Sequence, residues 1–172
     1  MENYLNAPEQ LPVKPIRPTF LTVLCILTFL GSGLSIINGL FGYLTADTTA
    51  SLYQANIEDT KDEIENSGKP PGSALAKKIA DGASEIIKSE NLKKNALFGV
   101  ISSIFTLVGA ILMFRLKKTG FWIYVLGTVI SIAAPIAIYG VGNIVSLGIV
   151  FIAALTGIVF VVLYAMNLKY LR

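Results

Sequence analysis

The sequence predicts an all-α fold, a four-transmembrane-helix bundle with an extramembrane helical hairpin between spans 1 and 2, and three observations predict it. Apolar residues make up 53% of the 172-residue chain and charged residues 15%, with a mean hydropathy of +0.66, well away from the make-up of a soluble domain. Four runs of about twenty residues are almost free of charge, and at about 1.5 Å per helical residue each can cross a hydrocarbon layer of about 30 Å. The segment 45–95 holds seven of the fourteen Lys and Arg and nine of the eleven Asp and Glu, so the water-exposed mass is gathered into one excursion.

Residues 1–19 form a basic, Pro-rich tail. Pro8, Pro12, Pro15 and Pro18, with Lys14 and Arg17 between the last three, favour an extended polyproline II strand that holds two cations at the headgroups. The first span covers 20–44. The large residue in Leu44-Thr45-Ala46 does not suit a signal-peptidase site, so the reading is an uncleaved anchor. Ser51 to Asn66 is polar and helix-permissive, although the β-branched residues and Asp of 45–49 lower helix propensity at its base. Ser67-Gly68-Lys69-Pro70-Pro71-Gly72 is a clear break. Beyond it Leu75, Ile79, Ala83, Ile86 and Ile87 recur at helical spacing, which predicts an amphipathic helix with Ser73 as N-cap. No helix breaker separates this helix from the second span, 96–116, so the sequence predicts one continuous helix there. A basic turn, 117–120, leads to the third span, 121–139, in which Pro135 removes the backbone partner of the Ser131 carbonyl, so a kink is expected there. An uncharged turn, 140–143, and a fourth span, 144–166, lead to the C-terminal residues 167–172.

Orientation follows from Lys and Arg in the short segments. Lys14 and Arg17 precede the first span, Arg115, Lys117 and Lys118 follow the second, Lys169 and Arg172 follow the fourth, and the 140–143 turn has none. This places both termini in the cytoplasm and the 45–95 excursion outside, with the protein in the plasma (inner) membrane. The seven cations of the excursion, Lys93 and Lys94 above all, oppose this assignment, and nine acids share the segment with them.

Small residues recur at four-residue spacing in every span: Gly31, Ser35 and Gly39; Gly99 and Ser103; Gly127 and Ser131; Ala153 and Gly157. Such stripes let helix backbones approach closely in lipid, where the hydrophobic effect supplies no attraction between helices, so these nine positions are the expected helix-packing residues. The aromatic residues Phe20, Phe41, Tyr43, Phe114, Phe121, Trp122, Tyr139 and Tyr170 gather near the expected interfaces.

Chemistry is sparse. Histidine is absent and Cys25 is the single cysteine, which removes the commonest general base and any Cys-based metal site. Polar groups inside the spans are confined to hydroxyls, Cys25 and Asn38, without the buried acid or base that a proton relay or cation path needs. The acids of 58–65 lack the glycine turn of an EF-hand and read as a solvated helix face. The expectation is a non-enzyme without cofactor or metal, whose surroundings are the lipid bilayer and a membrane or envelope protein partner or a second copy, not nucleic acid.

Arg17-Pro18-Thr19-Phe20-Leu21 before the first span and Leu116-Lys117-Lys118-Thr119-Gly120-Phe121 before the third resemble small four-span inner-membrane proteins of the Bacteroidota type. The resemblance implies a bacterial plasma membrane and brings no activity or site residue with it. Claudin-like and tetraspanin-like proteins also have four spans and one large outer loop, but their loops depend on cysteines that this excursion lacks. The functional expectation is an accessory or interaction subunit that uses the outer hairpin, with Leu75, Ile79, Ile86 and Ile87 as contacts. The alternative is a small channel or transporter-like homo-oligomer with a pore lined by Asn38, Ser102 and Ser103.

Overall fold

The computed structural model describes residues 17–66 and 72–172, and these are helical apart from short turns. Five α-helices occur among the described residues: α1 Thr19–Asn66, α2 Ser73–Ile87, α3 Ser89–Phe114, α4 Thr119–Tyr139 and α5 Ile144–Ala165, followed by a 3-10 turn at Leu168–Tyr170. Helices α1, α3, α4 and α5 are long and apolar enough to cross a membrane. Lys14 and the PxxP tail lie outside the described residues, as does the 67–71 part of the expected break.

Helix α1 runs for 48 residues, about 72 Å, straight through the segment expected to be weak. Local and tertiary bonds override propensity there. Thr45 donates to the Phe41 carbonyl at 2.8 Å and Ser51 to the Thr48 carbonyl at 2.9 Å. Ala46 and Ala50 are buried, and Asp47 accepts from Lys93 of α3 at 2.8 Å and from the Ser89 hydroxyl. Lys93 and Ser89 together hold the Asp47 carboxyl below its ordinary pKa.

The expected continuity from α2 into α3 does not hold. Lys88 is extended (φ −51°, ψ 129°) and separates them, although neither Gly nor Pro is present. The break is stabilised from the side: Asn91, itself buried, donates to the Glu85 carbonyl at 2.8 Å and to the Glu85 carboxylate at 3.0 Å. Nor is Ser73 the N-cap of α2. Gly72 takes that place in the left-handed region (φ 97°), and its carbonyl accepts from the Leu75 and Ala76 amides at 3.0 Å. The last third of α1 and α2 are joined by two ion pairs, Lys61–Asp81 at 2.9 Å and Lys77–Glu65 at 2.6 Å.

Helix α4 is continuous through Pro135. Helix α3 lies between α1 and α4, α5 packs on α4, and α1 and α5 touch at few points. Where they do touch, Leu21, Leu24 and Cys25 of α1 cluster with Met113, Phe121, Tyr124, Tyr164 and Leu171. Two of the aromatic residues expected at interfaces part company here, since Phe121 is buried in this cluster and Trp122 is exposed.

Candidate functional site

Among the described residues, the cations that set the expected orientation gather at one end of the bundle. Arg17 stacks on the Phe114 ring at 3.8 Å. The C-terminal residue closes back on the α3–α4 turn: the Arg172 amide donates to the Leu116 carbonyl and the Lys118 amide to the Arg172 carbonyl, both at 2.7 Å. Arg115, Lys117, Lys118, Lys169 and Arg172 thus share one rim with Arg17. Leu116 adopts φ 60° to make this turn.

Of the expected packing residues, the structure brings some into contact and leaves others open. A Cβ on Gly39 would stand 2.5 Å from Val100 and 3.3 Å from the Ala96 carbonyl, so α1 and α3 meet there. On Gly127 it would stand 2.8–2.9 Å from Thr106 and the Ser102 carbonyl, and on Gly157 2.6 Å from Thr128. Ser103 is buried near the first of these contacts, and the neighbouring Ser102 donates to the Gly127 carbonyl at 3.0 Å. Gly31 and Gly99 depart from the expectation: among the described residues nothing lies within 4 Å of their Cβ positions, so neither is at a helix–helix contact there. Gly109 and Gly120, not expected, make the tightest approach. A Cβ on Gly109 would stand 2.6 Å from the Tyr124 amide nitrogen, and one on Gly120 2.5 Å from the Gly109 carbonyl. The signal was present as seven-residue spacing, Gly120–Gly127 facing Ser102–Gly109, which repeats every two turns where antiparallel helices run nearly aligned.

The open residues line a crevice. Ser35, Ser102, Ser103 and Ser131 border two adjoining cavities of about 450 and 420 Å³. One reaches Asn38, Gly99, Asn95 and Thr49, and the other reaches Gly31, Thr28, Ala153 and Gly157. The three residues expected in a pore, Asn38, Ser102 and Ser103, therefore do border one space. Among the described residues no charged side chain lines it. At the Arg115 end the crevice is closed by the Thr28–Tyr164 hydroxyl pair at 2.8 Å, and Ser32 and Thr106 pair at 2.9 Å across it. Gly31, Ser35, Asn38 and Thr156 on its rims are exposed, so the crevice opens sideways between α1 and α5.

At the opposite end α2 crosses onto the α4–α5 turn. Asn143 accepts from the Val145 and Ser146 amides at 3.1 and 3.0 Å, capping α5, and donates to the Gly82 carbonyl at 2.9 Å. Gly82 has to lack a side chain, because a Cβ would stand 2.7 Å from the Asn143 Oδ1. Asn143 directly before the fourth apolar run is an N-cap signature, and it is the signal in the sequence that marks this residue. The four expected contact residues divide: Leu75 and Ile79 are 52% and 47% exposed, whereas Ile86 and Ile87 are half-buried and Ala80 and Gly82 form the buried side of α2.

This arrangement can hold uncharged polar groups by hydrogen bonds. Among the described residues no group of three His, Cys, Asp or Glu side chains is placed to hold a metal ion. Fold and site together define a multi-pass, helical integral membrane protein with a hydroxyl-lined lateral crevice. No protein-family model, curated protein or solved structure matches the chain.

Proposed function

We propose that the chain is a non-enzymatic accessory or interaction subunit of a membrane or envelope complex, docking its partner through an outer helical hairpin made of distal α1 and α2. In this reading the Arg115 rim and both termini face the cytoplasm of a bacterial cell, in keeping with the positive-inside distribution, and the hairpin stands outside. The observation that carries the proposal is the unused part of α2. Leu75 and Ile79 share a helical face with Gly82, which is seated on Asn143, yet both stay about half exposed, and Val141 of the adjacent turn is 72% exposed. In this reading these exposed apolar side chains at the α2 end of the molecule are the surface that a folded protein partner covers.

The test is affinity purification from native membranes in mild detergent. Leu75→Ser with Ile79→Ser removes two of these side chains and leaves the Lys61–Asp81 and Lys77–Glu65 pairs untouched, so the double variant is expected to lose a stoichiometric partner that the parent retains. Retention of every co-purifying protein refutes the proposal. Reaction of a Ser73→Cys variant with an impermeant thiol reagent on intact cells tests the orientation, and labelling only after lysis reverses it.

The channel-like alternative rests on the common border of Asn38, Ser102 and Ser103. Because the crevice is open on one side, it requires a second copy to close it, and it predicts solute flux in liposomes.

A further inference from the structure

We infer that the lateral crevice between α1 and α5 is a binding site for the head of a neutral, hydroxyl-bearing glycerolipid, of which diacylglycerol is the simplest. Three independent observations lead there. The first is an unpartnered group: Ser103 is 8% exposed and borders both cavities, and its hydroxyl makes no hydrogen bond among the described residues. The hydroxyl is open to the cavity, so its bonding capacity is available to a ligand hydroxyl or ester carbonyl. Ser35 and Asn38 on the α1 rim likewise have no side-chain bond to the described residues.

The second is the shape of the opening. α1 and α5 are tied at one end by Thr28–Tyr164 and linked at the other through α2, which bonds Asn143 and forms ion pairs with α1. Between these ties Gly31 has open space in front of it, and exposed Leu27 and Leu30 continue the surface on either side. A molecule that enters from this side keeps its acyl chains against apolar surface while its head turns inward. The crevice also reaches Thr49 and Asn95 at its far end, so a head can pass inward from the bilayer surface.

The third is the absence of charge from the lining, which sets the ligand class. A phosphate drawn into this space would be an unpaired charge in a medium of low dielectric, whereas hydroxyls and ester carbonyls exchange bonds with Ser and Asn on equal terms.

The experiment uses the full chain in phosphatidylcholine nanodiscs with a photo-crosslinkable diacylglycerol, and with phosphatidylglycerol and phosphatidylethanolamine probes of the same chains. The expected result is saturable labelling by the diacylglycerol probe that maps within 27–38 or 95–106 and is weak with both phospholipid probes. Ser35→Ala with Ser103→Ala lowers it about five-fold or more, the loss of one or two hydrogen bonds. Gly31→Leu, placed in open space and so compatible with the fold, blocks the mouth and abolishes labelling. Equal labelling by all three probes, labelling unchanged in Gly31→Leu, or no labelling at all overturns the inference. So does efficient homodimer cross-linking through Gly31→Cys, which would give the opening to a second copy.

Discussion

Replacing Gly109 with Ala tests the packing of the bundle at its tightest point. The three atoms nearest the new methyl group are all backbone: the Tyr124 nitrogen at 2.6 Å, and the Gly120 oxygen and Tyr124 Cα at 2.8 Å. No side chain can rotate away, so α3 and α4 have to move apart by about 0.8 Å to restore an ordinary 3.4 Å contact. Overpacking of this kind costs about 1–3 kcal/mol, and the loosened contact also weakens the neighbouring Ser102 bond to the Gly127 carbonyl. Ala gains roughly 1 kcal/mol over Gly in helix propensity, which offsets part of the loss. The same gain applies in full at Gly99, where nothing lies within 4 Å, and this supplies the control. Thermal unfolding in detergent, followed by circular dichroism and by proteolysis, is expected to rank Gly99→Ala at or above the parent and Gly109→Ala below Gly99→Ala by about 1–3 kcal/mol. If Gly109→Ala is as stable as Gly99→Ala, the backbone approach of α3 and α4 is not what holds these helices together.

Three further outcomes follow from particular contacts. Asn143→Ala loses both the α5 cap and the bond to Gly82, whereas Asn143→Asp keeps a capping oxygen and loses only the donor. Amide exchange across 82–87 should therefore rise in both variants, while the first turn of α5 loosens, by about 1 kcal/mol, in the Ala variant alone. Tyr164→Phe leaves the Thr28 hydroxyl unpaired at the α1–α5 tie and should lower stability by about 1–2 kcal/mol in the same unfolding assay, with no effect if the tie is dispensable. Because Lys93 and Ser89 hold the Asp47 carboxyl below its ordinary value of 3.8, the bonds it accepts from α3 are complete above that pH and are lost as pH falls through the lowered pKa. Spin labels at Thr48→Cys and Glu90→Cys should report a narrow distance distribution at neutral pH and a broad one in acid. Asp47→Asn should be broad at both, and a parent distribution that stays narrow in acid contradicts the assignment.

Much of the architecture was legible because a bilayer imposes its rules residue by residue. A charge-free run of about twenty residues has few alternatives to a helix in lipid, and the cations near 17, 115–118 and 169–172 were legible as one rim because each flanks such a run. The amphipathic character of α2 was legible from its period alone. Its partner was not, since the closest contact is made by Gly82 and Asn143, two polar or side-chain-free positions that hydrophobic spacing does not mark.

What only the tertiary structure decided concerns pairs of residues far apart in the chain. The sequence contains small residues at many positions in its spans, and only the relative rotation of the helices determines which of them meet. Gly109, Gly120 and Gly127 sit at backbone contact, while Gly31 and Gly99 face open space. Lys88 interrupts the helix without a breaker because the Asn91 side chain takes up the freed Glu85 carbonyl, and 45–49 stays helical because Ser89 and Lys93 of α3 bond Asp47. Asn38, Ser102 and Ser103 were identified by chemistry, but that they border a sideways opening follows from the exposed rims at Gly31, Ser35, Asn38 and Thr156, where α1 and α5 stand apart. Local rules set the elements, and the packing of non-local surfaces set the site.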